Sequence, residues 1–276
     1  MTTEYLAAQW GAVDRAADPR AFVRYLDSVS RLETIQRIKQ RTYDLLAVQD
    51  GHCLLDVGCG TGDDVRSLAA RVGRTGRVVG IDGSENMVAE AWTRAQGANL
   101  PVEFLVGDAE RLEFPDDSFD GCRAERVLVH LNHPDRAFAE MVRVARPGAR
   151  IVVFDADWET LVVDAPSRAI TRTMLNCHCD GSGSRWIGRQ LHRLFCEAGL
   201  TEITVTTDTL VFTDYSQADF VFQLREAAVQ ALAAGVVTQP QASQWLDDLA
   251  QANQRGTFFA AVTGFCVGGR KCGPFA

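Results

Sequence analysis

The chain has 276 residues, 46% of them hydrophobic and 23% charged, an ordinary composition for a soluble globular protein with one substantial core. A formal net charge of −8 argues against a nucleic-acid backbone as partner, because that needs a basic surface. No apolar run reaches the roughly 18 residues of a membrane helix, and the polar N-terminal stretch with Glu4 does not read as a signal peptide, so a cytoplasmic protein without membrane insertion is expected.

Residues 1–50 are predicted to be helical. Asp18-Pro19 offers a cap and a first helical position, with Phe22, Val23 and Leu26 on one face. Ile35, Ile38, Leu45 and Leu46 continue at helical spacing up to Asp50-Gly51. Tyr5, Trp10, Tyr25 and Tyr43 gather aromatic rings ahead of the first strand, as a core or a lid would require. The apolar run Cys53 to Val57 then predicts a buried strand that stops at Gly58, Gly60 and Gly62. Glycine there lets the backbone turn sharply and approach a ligand without a Cβ. A helix follows, with Asp63 and Asp64 in its first turn. Strand, glycine turn, helix is the ligand-binding corner of a doubly wound sheet.

Strand and helix alternate from there, the signature of a parallel sheet. Arg77 to Asp82 is a strand, and Ser84 caps a helix bearing Met87, Val88, Ala91 and Trp92. Val102 to Val106 is a strand ending at Gly107-Asp108-Ala109. Another starts at Phe119, a helix at Pro134, and a fifth strand spans Arg150 to Phe154 and ends at Asp155-Ala156-Asp157-Trp158. Beyond a loop around Gly181-Ser182-Gly183-Ser184, a helix holds Leu191, Leu194 and Phe195, and Glu202 to Phe212 is a sixth strand. Residues 215–253 read as two helices and Val262 to Val267 as a seventh strand. The eight cysteines are scattered; Cys177-His178-Cys179 is the one local cluster and lacks the paired spacing of a zinc site, so free thiols and no metal are expected.

Two cofactor classes use such a corner. A dinucleotide would set its diphosphate against Asp63 and Asp64, at a repulsive cost of about 1 kcal/mol or more per close pair, and the alanine or glycine expected one place after Gly62 is missing. A cofactor carrying ammonium and sulfonium cations suits acidic surroundings. Leu54–Gly62 (LLDVGCGTG), with Asp82 and Gly107-Asp108-Ala109 closing the next two strands, resembles the class I S-adenosylmethionine-dependent methyltransferases. Phe114–Asp120 (FPDDSFD) and Arg146-Pro147-Gly148 are similar to the small-molecule subgroup that includes the ubiquinone/menaquinone-biosynthesis methyltransferases. Ala149 stands where that family often has a second glycine, and residues 215–253 separate two strands that it tends to join tightly.

The resemblance implies a seven-stranded, mostly parallel Rossmann-like α/β core over residues 46–214 and 255–276, with helical caps at 1–45 and 215–253 over the substrate. It implies that Gly58, Gly60 and Gly62 pass beneath the methionine part, and that Asp56 orients the loop or the ammonium. Asp82 is the ribose acceptor, Gly83 and Met87 line the adenine side, Asp108 accepts the adenine amino group and Ala109 leaves room for the ring. Arg123, on the fourth strand, opens toward the methyl group, and His130 is the candidate general base should the acceptor lose a proton. The expected partner is a small-molecule acceptor methylated on carbon, nitrogen or oxygen, and the caps could instead complete the core or join two copies in a homo-oligomer. Two alternatives stay open: a related domain that binds the cofactor without methylating, and an NAD(P)-dependent oxidoreductase.

Overall fold

The computed structural model describes residues 10–181 and 183–273; Glu4, Tyr5 and Ser182 lie outside them. Seven strands form one sheet: β1 (Cys53–Val57), β2 (Arg77–Asp82), β3 (Val102–Val106), β4 (Phe119–Glu125), β5 (Ala145–Val163), β6 (Thr201–Phe212) and β7 (Ala260–Arg270). Their order is β3-β2-β1-β4-β5-β7-β6. The pairs from β3 to β5 are parallel, and β7 lies antiparallel between β5 and β6. Strand order reverses between β1 and β4, and the crevice beyond their carboxyl ends is where an open α/β sheet holds ligands.

Successive residues of a strand point to opposite faces, so an unbroken apolar strand requires cover on both sides. Leu54 and Leu55 are each fully buried. On the Leu54 face pack α2 (Glu33–Leu46) and α3 (Asp63–Val72), through Ile35, Ile38, Val65 and Leu68. On the Leu55 face pack α5 (Pro134–Val144) and α7 (Ile187–Glu197), through Phe138, Met141, Leu191 and Phe195. A small third core joins Val13 and Phe22 of the N-terminal segment to Met87 of α4 (Glu85–Ala95). No helix among the described residues is long and apolar enough to cross a membrane.

Several boundaries differ from those read in the sequence. Residues 215–253 form three helices, not two: α8 (Tyr215–Phe222), α9 (Leu224–Ala233) and α10 (Gln239–Gln254). The break is Gln223, whose left-handed backbone (φ 55°) ends α8. The fifth strand continues through Asp155 to Val163, because it stays paired with β7 past an irregularity between Asp157 and Val162. The seventh starts two residues earlier and ends three later than expected, at Ala260 and Arg270. The expected lid 1–45 divides. Its α2 is part of the core, packed on the sheet, while the segment Trp10–Arg15 and α1 (Pro19–Ser30) stand at the crevice. Between β5 and the 181–184 loop, a stretch to which the sequence assigns no element forms α6 (Arg168–Asp180), held against α9 and α10.

Candidate active site

The glycine turn after β1 has left-handed backbone at Gly58 (φ 68°), Gly60 (φ 52°) and Gly62 (φ 72°). The demand is steric as well as torsional. A Cβ on Gly58 would lie 2.4 Å from Val127 Cγ2, and one on Gly62 would lie 2.5 Å from Phe104 Cε1. Gly62 thus serves the packing of α3 on the sheet and is not on the cavity wall, whereas Gly58 and Gly60 are. Asp82 pins the turn: Gly60 N–H donates to Oδ2 (2.8 Å) and Ser84 N–H to Oδ1 (3.0 Å). Burial raises its pKa against the pull of those two donors. Each oxygen keeps a lone pair, and Asp82 lines the cavity beside Gly83, Met87, Asp108 and Ala109.

Asp56 and Arg123 have a different setting from the one expected. Asp56 is not on the cavity wall; its Oδ1 accepts from Arg123 Nη1 at 2.8 Å, and burial raises its pKa to about 6. Arg123 is 1% exposed and reaches the wall only as the centre of a buried cluster. Its Nε donates to Thr42 Oγ1 (2.8 Å), and its Nη2 pairs with Glu125 and, at 3.3 Å, with Asp64. Lys39 bridges Asp64 and Glu125, and Tyr43 donates its hydroxyl to Asp64. Burial alone would raise the Asp64 carboxyl, but Arg123 and Lys39 outweigh it and hold it below the usual range. Asp63 pairs with Arg66 and Arg94. Both aspartates at the start of α3 are therefore matched by cations, and a diphosphate would meet less repulsion there than bare carboxylates imply. Only the periodic signal of α2 and a lysine on its apolar side hinted at this cluster.

The wall residues enclose a cavity of about 760 Å3. From the glycine turn and Asp82 it runs past the end of β4 to a second pole bordered by Trp10, Tyr25, Trp158 and Phe222. The N-terminal segment and the 215–253 insertion meet above it, Tyr25 against Phe220 with ring centroids 5.4 Å apart. Asp14 fastens the former to the body. Its carboxylate accepts from Ser84 Oγ (2.5 Å), Glu85 N–H (2.8 Å) and both the backbone (3.2 Å) and side-chain (2.8 Å) nitrogens of Asn86, at the positive end of α4. Nothing in the sequence singles Asp14 out, since its partners are seventy residues away.

Three titratable side chains mark the second pole. His130 closes a short 3-10 turn (Leu128–His130) and stacks against Trp10 at 5.6 Å. Burial, then the guanidinium groups of Arg185 and Arg126, push its pKa down to about 3, so the imidazole is neutral and a weak base. His178, on α6, has Nδ1 facing Gln230 Oε1 (3.2 Å) and Nε2 facing Arg185 Nη1 (2.9 Å). Asp155 stands one residue past the last β5 residue paired with β4, fully buried, with Oδ2 accepting from Leu128 N–H at 3.1 Å. It is the functional candidate missed in the sequence, although a carboxylate at a strand's carboxyl end repeats the pattern of Asp82 and Asp108.

The site fits S-adenosylmethionine on its own features: a glycine turn that leaves backbone space, carboxylates at the ends of β2 and β3, and open room beside Gly83, where a Cβ would meet nothing within 4 Å. Comparison with known proteins agrees. The methyltransferase-domain family model matches residues 55–153. An uncharacterised 37.1 kDa protein of transposon Tn4556 from Streptomyces fradiae is 40% identical over 247 residues, which is 89% of this chain and 70% of that one. The ubiquinone/menaquinone biosynthesis C-methyltransferase UbiE of Bordetella parapertussis is 39% identical over 117 residues, 42% of this chain and 45% of the relative, so the match spans less than half of that enzyme. The crystal structure of the YcgJ protein from Bacillus subtilis shares the fold with a TM-score of 0.61 at 20% identity, over 86% of this chain and 99% of that one. Residues 55–153, which hold the glycine turn, Asp82, Asp108 and β4, belong to the methyltransferase-domain family.

Proposed function

We propose that this methyltransferase acts on a small, ring-bearing acceptor of specialised metabolism, held in the aromatic pole while the cofactor lies along the ends of β1, β2 and β3. The observation that carries the reading is the continuity of the cavity. One space joins Gly58, Gly60, Asp82 and Asp108 to Trp10, Tyr25, Trp158 and Phe222. In this reading Gly58 and Gly60 run beneath the methionine part, Asp82 accepts from the ribose hydroxyls and Asp108 from the adenine amino group. Gly83, Met87 and Ala109 give the ring its room. Gly62, Asp56 and Arg123 support the turn from behind without touching the ligand.

The cofactor supplies an activated methyl group on a sulfonium, already a good leaving group. What remains for the protein is alignment and exclusion of water, and alignment alone can contribute roughly 7–11 kcal/mol. The roof of Trp10, Tyr25, Phe220 and Phe222 excludes water. The end of β4, stiffened by the Arg123 cluster and turned by Arg126 in a left-handed backbone (φ 58°), presents the acceptor to the transfer line. His130, neutral and half-buried, can hold an acceptor by a hydrogen bond but is a poor store for its proton. The net charge of −8 supports a small-molecule substrate over a nucleic acid.

The test has two parts. Calorimetry should show S-adenosylmethionine and S-adenosylhomocysteine binding and no NAD binding. Incubation with labelled cofactor and a panel of aromatic metabolites should give a product heavier by one methyl group. NAD binding without a response to either sulfur nucleoside would sink the proposal.

A further inference from the structure

We propose that Asp155 is the catalytic base for an acceptor hydroxyl and that this same oxygen receives the methyl group. The inference rests on the methyl-transfer reading above and adds the acceptor's functional group to it.

Asp155 follows Phe154, which pairs with Glu125, so it lies level with the first residue beyond β4. That is the carboxyl end of the parallel strands, where Asp155 joins His130 and His178 at the aromatic pole of the cavity. The carboxyl is held by Leu128 N–H on Oδ2, and Oδ1 is buried with no hydrogen-bond partner among the described residues. A buried polar atom left unpaired is costly and rarely accidental. Asp155 borders the cavity with no exposed surface of its own, so an acceptor hydroxyl completes Oδ1 once the wall beside it shifts.

The neighbouring candidates do not compete. Asp157 is fully engaged by Arg189. His178 has both ring nitrogens matched. His130 is too weakly basic to keep a proton near neutrality. Asp155 can keep one: burial lifts its pKa to about 8 against the pull of the Val129 and Leu128 N–H groups. The charged groups acting on it are Arg126, which lowers it, and Glu125, which raises it, both at the end of β4; β7 sets Phe265 opposite. A base whose pKa lies near the working pH is the favourable case.

The step balances. As the acceptor oxygen bonds to the methyl carbon, the carbon–sulfur bond breaks and its electron pair stays on sulfur. The hydroxyl proton passes to Asp155 Oδ1 and leaves to solvent after product release.

The test uses Asp155→Asn, which keeps the oxygen that receives Leu128 N–H, with Asp155→Glu as a partial rescue. Wild type and variants are incubated with labelled S-adenosylmethionine and a panel of hydroxybenzoates, naphthols and flavonols, with anilines and hydroxyl-free indoles as controls. Methyl ethers should form. The wild-type kcat/KM should rise with pH and level off above about pH 8, and D155N should fall about 10²–10⁴-fold and lose that rise. Cofactor affinity should stay within about twofold. Methylation on carbon or nitrogen, or D155N within threefold of wild type, overturns the assignment. If no panel member reacts, infrared difference spectra decide it. A protonated-carboxyl band in the cofactor-bound wild type at neutral pH, missing in D155N, sustains the proposal, and its absence overturns it. Failure of the wild type to bind cofactor at all would instead refute the methyl-transfer reading.

Discussion

Replacing Arg123 with Met tests whether this residue binds cofactor or holds the fold. Arg123 is 1% exposed and faces Asp56, Asp64 and Glu125. Without it, Asp64 keeps Lys39 and Tyr43, and Glu125 keeps Lys39 and Arg126, but Asp56 loses the cation that lies 2.8 Å away. Removing one partner from a buried pair costs about 3–5 kcal/mol, because a buried charge is left uncompensated. For a chain of this size each kcal/mol is worth about 2–4 °C, so melting should fall by about 6–20 °C. The loss should shrink toward pH 5, where Asp56, already raised to about 6 in the wild type, can take up a proton. Circular-dichroism melts of R123M at pH 5 and pH 8 read both effects. Arg193→Met is the control, since the Arg193–Glu197 pair is 59% exposed on both sides and should be worth less than about 1 kcal/mol. A melting point within about 2 °C of wild type, or a loss independent of pH, would refute the reasoning. So would a folded R123M whose only defect is cofactor affinity.

The other predictions follow the same geometry. Asp82→Ala should weaken S-adenosylhomocysteine by about 1.5–3 kcal/mol, the usual worth of hydrogen bonds to a charged group; an unchanged dissociation constant in calorimetry would leave Asp82 with the turn alone. Tyr25→Ala and Phe222→Ala should raise the acceptor's KM while cofactor affinity changes little; wild-type kinetics in both would remove the roof from the mechanism. Asp155 adds a stability signature: its folded pKa of about 8 is above that of the unfolded chain, so the folded state holds a proton that the unfolded state has lost. The stability it carries is complete below about pH 4 and is lost as pH rises toward 8, by about 1.4 kcal/mol per unit. Melting curves should therefore fall more steeply from pH 6 to pH 8 in wild type than in D155N, and parallel curves would contradict that.

The parallel core was legible because its signals are local. Apolar strands, glycine turns and strand-end carboxylates lie within a few residues of one another, as at Leu54–Gly62 and Asp82. What escaped depends on partners distant in the chain. Arg123 reads as a cavity residue until Thr42 and Lys39, eighty residues earlier, are seen closing around it. Asp14 has no local pattern at all. Residues 215–253 hide their break at Gln223 because glutamine gives no sequence warning of a left-handed backbone. The apolar side of α2 was visible as a helix face, but whether that face meets a cavity or a sheet is a tertiary matter that periodicity does not carry.

The position of β7 has a consequence for how the chain is made. During synthesis β3, β2, β1, β4 and β5 can pair as they leave the ribosome, each beside a strand already present. β6 cannot, because its one neighbour is β7 and residues 213–259 separate the two. Until β7 arrives and threads between β5 and β6, two rows of backbone donors and acceptors stay open, one of them carrying Val205 and Val211. Such edges invite pairing with another nascent copy, and distant pairings form slowly. The early-forming half is the one that contains the glycine turn, so the proposed cofactor site is assembled before the sheet has its last strand.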